Sequence, residues 1–135
     1  MEFTFPSLQQ VLLLHDRTIV IHGGSQGIRD IGLVESALFA AQQTFGGQDL
    51  YPTIAAKAGA LWHGYVCNHG FVDGNKRIGL IVASTFLRMN GFQLSMPQTK
   101  AEEITLEMAS GQISRQVLIQ MIEQFVMPLG NQNRN

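Results

Sequence analysis

Between Arg77 and Arg88 the chain runs for ten residues, Ile78 to Leu87, without a charge and with only Ser84 and Thr85 to soften it. The flanking spacing predicts a helix from Asn75 to Asn90, closed by Gly91, that is apolar nearly all the way round. A helix without a polar face belongs in the interior of a fold, so the rest of the chain must be arranged to cover it. The run is about half the ~20 residues that a bilayer span requires, and burial in protein rather than lipid is expected.

The covering material reads as further helices punctuated by glycine and proline, with no flexible linker and no internal repeat. Ser7-Leu8-Gln9-Gln10 is a capping-box pattern that opens a first helix carrying Leu8, Val11, Leu12 and Ile19 on one side, until Gly23-Gly24 stops it. The β-branched run Thr18 to Ile21 also suits a short strand. Asp30 is a plausible N-cap for a second helix through Leu33, Ala37, Ala40 and Ala41 towards Gly46-Gly47. Pro52 fits the first position of a third, which places Ile54, Ala58, Leu61 and Tyr65 at helical spacing and ends near Asn68-His69-Gly70. Beyond the apolar helix, Thr99 with Glu102 suggests a capping box for a fifth helix ending at Gly111, and Ser114 caps a sixth with Val117, Met121 and Phe125 facing inward before Pro128. The expectation is an all-α fold of about six helices around a central buried one. An apolar content of 45% over 135 residues suffices for one sizeable core. We therefore expect a single domain over 1–135, packed from about 7 to 126, with a polar tail at 127–135 whose end, Asn131 to Asn135, is disordered.

Charge narrows the function classes. Nine basic and ten acidic residues give a net charge of -1, with the basic ones scattered from Arg17 to Arg134. No basic face emerges, so direct binding of nucleic acid is disfavoured. The N-terminus lacks a positive, then apolar, secretory pattern, and the single Cys67 has no intrachain disulfide partner. A soluble, cytoplasmic protein with no membrane partner is the expectation.

One segment rises well above composition: His69-Gly70-Phe71-Val72-Asp73-Gly74-Asn75-Lys76-Arg77, lying where the third helix ends and the buried one begins. Free N–H groups at a helix N-terminus, reinforced by the helix dipole, make an anion site, and Gly74 lets a phosphate approach the backbone. Asn75 can add a side-chain donor, Lys76 a point charge and Arg77 a planar fork for two phosphate oxygens. A carboxylate beside such a cradle is repelled unless a cation lies between, which makes Asp73 a candidate Mg²⁺ ligand sharing the ion with phosphate. A histidine on a helix end, titrating near ~6.5, can take a proton from an attacking hydroxyl, and His69 is the candidate base.

Each of these residues also has a plainer reading. His69 suits a satisfied helix-end histidine, Asp73 an N-cap that does not exclude metal binding, and Lys76-Arg77 a solvated pair. Phe71 reads as core. His15, His22 and His63 have no metal-ligand partners at persuasive spacing and read as surface or packing residues, Cys67 as a small buried hydrophobe, and Trp62 as packing.

The pattern His69-x-Phe71-x-Asp73-Gly74-Asn75-Lys76-Arg77 resembles the signature of the Fic/Doc family. The flanks Ile28-Arg29-Asp30-x-Gly32-Leu33-x-Glu35-Ser36-Ala37, Phe45-Gly46-Gly47-x-x-Leu50-Tyr51-Pro52 and Phe86-Leu87-Arg88-x-Asn90-Gly91 are similar to its death-on-curing branch in order and spacing, over roughly residues 7 to 126. The resemblance implies a helical Fic fold in which His69 is the base, Phe71 anchors the loop, Asp73 holds Mg²⁺, Gly74 to Arg77 bind the phosphates of ATP or another nucleoside triphosphate, and Phe45 to Tyr51 form a flap that aligns the target. Two departures stand out. Gly70 replaces a proline common among relatives, which is expected to loosen the loop. Lys76 stands where adenylylating relatives often have a second glycine; in the death-on-curing branch that lysine accompanies a nucleotide bound in the reversed sense.

The resemblance thus implies a toxin of a toxin-antitoxin module that phosphorylates Ser/Thr hydroxyls of a target protein, with a translation elongation factor as the expected target class. AMP transfer is the alternative, and a non-catalytic nucleotide- or antitoxin-binding module the second. Some relatives block their own phosphate site with a helix bearing Ser/Thr-x-x-x-Glu-Gly/Asn. The nearest match, Thr99 to Glu103, is followed by Ile104, so inhibition is expected in trans from an antitoxin whose tail folds on binding.

Overall fold

The computed structural model describes residues 2–130; the expected disordered tail Asn131 to Asn135 lies outside them. The described residues contain six helices: α1 (Leu8–His22), α2 (Ile31–Ala40), α3 (Ile54–Asn68), α4 (Asn75–Met89), α5 (Gln98–Ala109) and α6 (Arg115–Ile122). Two short antiparallel two-stranded sheets accompany them, the hairpin of β1 (Thr44–Phe45) with β2 (Gln48–Asp49) and the pairing of β3 (Phe92–Leu94) with the distant β4 (Val126–Pro128). The fold is all-α, as the periodicity predicts. No described helix is long and apolar enough to cross a membrane.

Local chemistry sets the helix starts. Ser7 Oγ accepts from Gln10 N at 3.1 Å while Gln10 Oε1 accepts from Ser7 N at 2.7 Å, a reciprocal box that satisfies two donors at the start of α1. The run Thr18 to Ile21 is helical, not a strand, because α1 continues to His22 before Gly23. Asp30 and Ser114 cap α2 and α6 as expected. Two starts differ. Thr53 rather than Pro52 organises α3, its hydroxyl accepting from Ala56 N at 3.0 Å, which puts the proline outside the helix. Pro97 is the N-cap of α5, so Thr99 already lies inside the helix and makes no box with Glu102.

The interior is organised by size complementarity. In α3, eleven of fifteen residues are buried, more than in α4, where the buried face is Ile78, Gly79, Val82, Ala83, Phe86 and Leu87. α3 packs most extensively on α4, then on α2 and α6. It can take neighbours on several sides because four alanines and two glycines lie among its larger side chains. A Cβ on Gly59 would lie 2.6 Å from Ile119 of α6, and one on Gly79 would lie 2.6 Å from Val66 and 3.0 Å from the Trp62 carbonyl. On α6 the buried residues are Leu118, Ile119 and Ile122; of the three expected to face inward, Met121 is partly buried against the core, Val117 is exposed and Phe125 lies beyond the end of the helix.

At the far end of α4 both ends of the described chain are fastened. Asn90 accepts from Thr4 N at 2.8 Å and donates to Thr4 O at 2.9 Å, and Phe5 stacks on Phe86 with centroids 4.5 Å apart. Residues 126–128, expected at the close of the sixth helix and the start of the tail, instead pair as β4 with β3, Phe92 opposite Pro128 and Leu94 opposite Val126.

Candidate active site

The site begins where α3 stops. His69, exposed, adopts φ 54 and ψ 46, the single non-glycine residue in the left-handed region among the described residues. That conformation ends a helix and turns the chain sharply. It is supported from outside: Arg29 Nε donates to the His69 carbonyl at 2.6 Å and Arg29 Nη2 to the Asn68 carbonyl at 3.3 Å. The Asn68 amide donates in turn to Leu33 O and Ser36 Oγ, both at 3.2 Å. Arg29 thus serves the terminal carbonyls of α3 that have no helical partner.

The next three residues run beside the segment before α2. Arg29 N and Asp30 N both donate to Gly70 O at 2.9 Å, Val72 N donates to Gly27 O at 3.1 Å, and Ile28 bridges Phe71. A Cβ on Gly70 would come within 2.6 Å of Val34 Cγ2 and 3.0 Å of Val34 N. The expectation that glycine here loosens the loop is therefore reversed, since in this chain the missing side chain lets α2 close onto the loop.

Phe71 is buried, as expected, and stacked against His15 of α1 with centroids 3.8 Å apart. Asn75 has a structural role beside the donor role expected of it. Its carboxamide clasps the Phe71 backbone, Oδ1 accepting from Phe71 N at 3.1 Å and Nδ2 donating to Phe71 O at 3.0 Å. The side chain braces the loop with one of its two Nδ2 hydrogens, and the backbone N–H adds a donor at the helix start.

Gly74, at φ 79 and ψ 14, is the N-cap of α4. The first bond closed in this helix is Ile78 N to Gly74 O at 2.9 Å, so the N–H groups of Asn75, Lys76 and Arg77 have no intrahelical acceptor. Lys76 and Arg77 are exposed, with Arg77 Nη1 3.4 Å from Gly23 O. Three unpartnered N–H groups and two exposed cations thus form a cradle whose chemistry suits an anion.

Asp73 stands at its edge. Oδ2 accepts from Ser25 N at 3.1 Å and Oδ1 from Gly74 N at 2.8 Å. The Ser25 bond first, then the Gly74 bond, with the Arg77 guanidinium adding to them, hold its carboxyl below the usual carboxylate range. Among the described residues no three His, Cys, Asp or Glu side chains gather into a metal cage. A lone ionised carboxylate suits a hard cation that completes its shell from phosphate oxygens and water.

His69, Asp73, Gly74, Asn75, Lys76 and Arg77 all line one cleft of about 660 Å³. Leu80 and Ile81 of α4 form an apolar stretch of its wall, Gln98 and Glu102 enter from α5, and Thr18 and His22 from α1. The sequence therefore brings every nominated residue to a single place. It missed the supports, His15, Gly24, Ser25 and Arg29. A signal existed for His15, four residues after Val11 and four before Ile19 on the inward stripe of α1. Its imidazole is 1% exposed and hydrogen-bonded to the Asp73 carbonyl at 2.7 Å. His63 and Cys67 do not line the cleft; they lie 3.6 Å apart, and burial raises the thiol pKa.

The flank expected to be a flap forms a hairpin around Gly46-Gly47, with Phe45 83% exposed at its turn. It is fastened at its base. The Lys57 ammonium, buried on α3, donates to Asp49 Oδ2 at 3.0 Å and to Tyr51 O at 2.6 Å, and Arg115 Nη1 donates to the Tyr51 hydroxyl at 2.8 Å.

Comparison with known proteins agrees with this architecture. The Fic/DOC family profile matches residues 5–87. "Toxin Doc" of Mycolicibacterium smegmatis is 40% identical over 93 residues, 67% of this chain and 72% of the relative. "Protein kinase doc" of Escherichia phage P1 is 32% identical over 111 residues, 80% of this chain and 84% of the relative. With the motif at a helix-capped cleft and relatives covering most of its length, the chain belongs to the Fic/DOC family, in its death-on-curing branch.

Proposed function

We propose that this protein is the toxin of a toxin-antitoxin module and a protein kinase, transferring the γ-phosphoryl group of ATP to a Ser/Thr hydroxyl of a target protein, with a translation factor as the target class. The observation that carries the reading is the convergence on one cleft of an exposed imidazole, an ionised carboxylate and an unpartnered helix N-terminus. The names of two relatives, a toxin and a protein kinase, support it.

In this mechanism the free N–H groups at the start of α4, with Lys76 and Arg77, bind the phosphates and orient the phosphorus for attack. The Asp73 carboxylate would hold magnesium, and the ion would supply charge screening that eases approach of the incoming oxygen. His69 takes the proton of the target hydroxyl as its oxygen bonds to the γ-phosphorus. The bond from that phosphorus to the bridging oxygen breaks, and the electron pair leaves with ADP. The left-handed turn at His69, fixed by Arg29, keeps the imidazole at the cleft. Lys76 supports this reading over AMP transfer, because a lysine stands where adenylylating relatives often have a second glycine.

The test is incubation of the purified chain with cell extract and ATP labelled at either the α or the γ position. Label on protein from γ alone is the expected result, whereas label from α would replace phosphorylation by nucleotidylation. Expression without an antitoxin should arrest growth, and normal growth with soluble protein present would count against a toxin.

A further inference from the structure

Asp73 is gripped by α1 and the loop that follows it, at opposite ends of the residue. Its backbone carbonyl meets His15 Nε2 at 2.7 Å, and its carboxylate meets Ser25 N at 3.1 Å. A carbonyl only accepts, so the shared proton sits on Nε2 and the tautomer is set. The same imidazole lies on Phe71, and therefore touches the loop on both sides of Val72. The backbone approach is as close as glycine permits. A Cβ on Gly74 would lie 3.1 Å from Ile19 Cδ1 and 3.4 Å from His15 Nε2, and one on Gly24 would lie 2.7 Å from Asp73 Oδ2.

We propose that His15 is a positioning residue, fixing through the Asp73 carbonyl and the Phe71 ring the direction in which the Asp73 carboxylate is presented to the metal–nucleotide complex. The proposal rests on Asp73 being the cation ligand. A buried apolar side chain would fill the same space, but it would leave the carbonyl without its donor. Burial of a polar ring at 1% exposure is costly unless its hydrogen bond is made, and here the bond made is to the ligand residue itself. Groups one step behind a metal ligand orient it, and their loss characteristically weakens metal affinity more than their own contact suggests.

Two substitutions separate the ring from its proton. His15→Phe keeps a ring against Phe71 and removes the donor; His15→Gln keeps an amide N–H donor at similar reach and removes the ring. The readout is Mn²⁺ binding to the full chain in the presence of a non-hydrolysable ATP analogue, followed by electron paramagnetic resonance, with the thermal midpoint recorded beside it. We expect His15→Phe to weaken Mn²⁺ binding roughly 10-fold and His15→Gln to recover most of the loss. Equal Mn²⁺ affinity in His15→Phe and the native chain would overturn the proposal, whatever happens to the midpoint. Nitrogen-15 spectra of the native imidazole test the same point with no variant: Nε2 must carry the proton, and a bare Nε2 would refute it. Asp73→Asn separates the two levels of the argument. If it leaves Mn²⁺ binding intact, the ligand assignment and the role of His15 fall together. If it abolishes binding while His15→Phe changes nothing, the role of His15 alone is refuted.

Discussion

The imidazole of His15 lies flat on the ring of Phe71, with centroids 3.8 Å apart and planes inclined by 8°. Both residues are 1% exposed, so this stack is the joint through which α1 meets the loop carrying His69 and Asp73. Phe71→Ala empties that joint, and a destabilisation of about 3–5 kcal/mol is expected in urea unfolding, as for other buried aromatics. A loss below about 1 kcal/mol would mean that the loop is not anchored by this ring.

Gly70 tests close packing at a second point. Gly70→Ala sets a methyl group 2.6 Å from Val34 Cγ2 and should cost about 1–3 kcal/mol through overpacking. Adding Val34→Ala removes the side-chain clash but not the Val34 backbone nitrogen at 3.0 Å. The double variant should therefore show favourable coupling without full recovery, and strict additivity would contradict the contact.

His69 calls for a gentle substitution, because its left-handed backbone is strained in alanine and better tolerated by asparagine. His69→Asn should lower the transfer rate roughly 10²- to 10⁴-fold through loss of the general base. The exposed side chain predicts little change in thermal midpoint. A variant that retains most of its rate would remove His69 from the chemistry.

Asp73 gives the pH dependence its sign. Its folded pKa is depressed, chiefly by the Ser25 and Gly74 N–H bonds, so the carboxylate stabilises the fold fully above the ordinary carboxylate value of about 3.9. That contribution is lost as pH falls through the lowered value. Stability curves of the native chain and Asp73→Asn should thus lie apart near neutrality and converge in strong acid. Curves that diverge further in acid would reverse the assignment.

The hairpin depends on a buried cation. Asp49→Ala leaves the Lys57 ammonium with the Tyr51 carbonyl but no counter-charge. The expected cost is about 1–3 kcal/mol, less than for an enclosed pair because Asp49 is 44% exposed. Hydrogen exchange should quicken at the Leu50 amide, which bonds Gln43 O across the hairpin base at 2.8 Å. Unchanged exchange would show that Arg115 and Tyr51 suffice to hold it.

Features with a local signal were legible in the sequence. The capping chemistry of Ser7, Asp30 and Ser114 and the uncharged run of α4 depend on neighbours a few residues away, and the motif from His69 to Arg77 folds as one connected turn. What escaped depends on contacts between distant segments. The Asn75 carboxamide has equal claims on a phosphate and on the Phe71 backbone until the loop is built, and the hydrogen bond is then made four residues back. His15 reaches Asp73 across fifty-eight positions, Ser25 across forty-eight. The close approach of α6 to Gly59 joins residues sixty positions apart, and strand β4 comes from a pairing with residues more than thirty positions earlier.

The clasp of Asn90 on Thr4 and the β3–β4 pairing place both termini of the described chain at the end of α4 opposite the cradle. Fifteen helical residues put roughly 22 Å between those two ends. An attachment made through residues at that end is therefore held away from the cleft lined by His69 to Arg77, and the molecule can be tethered from one pole while the cleft at the other stays open.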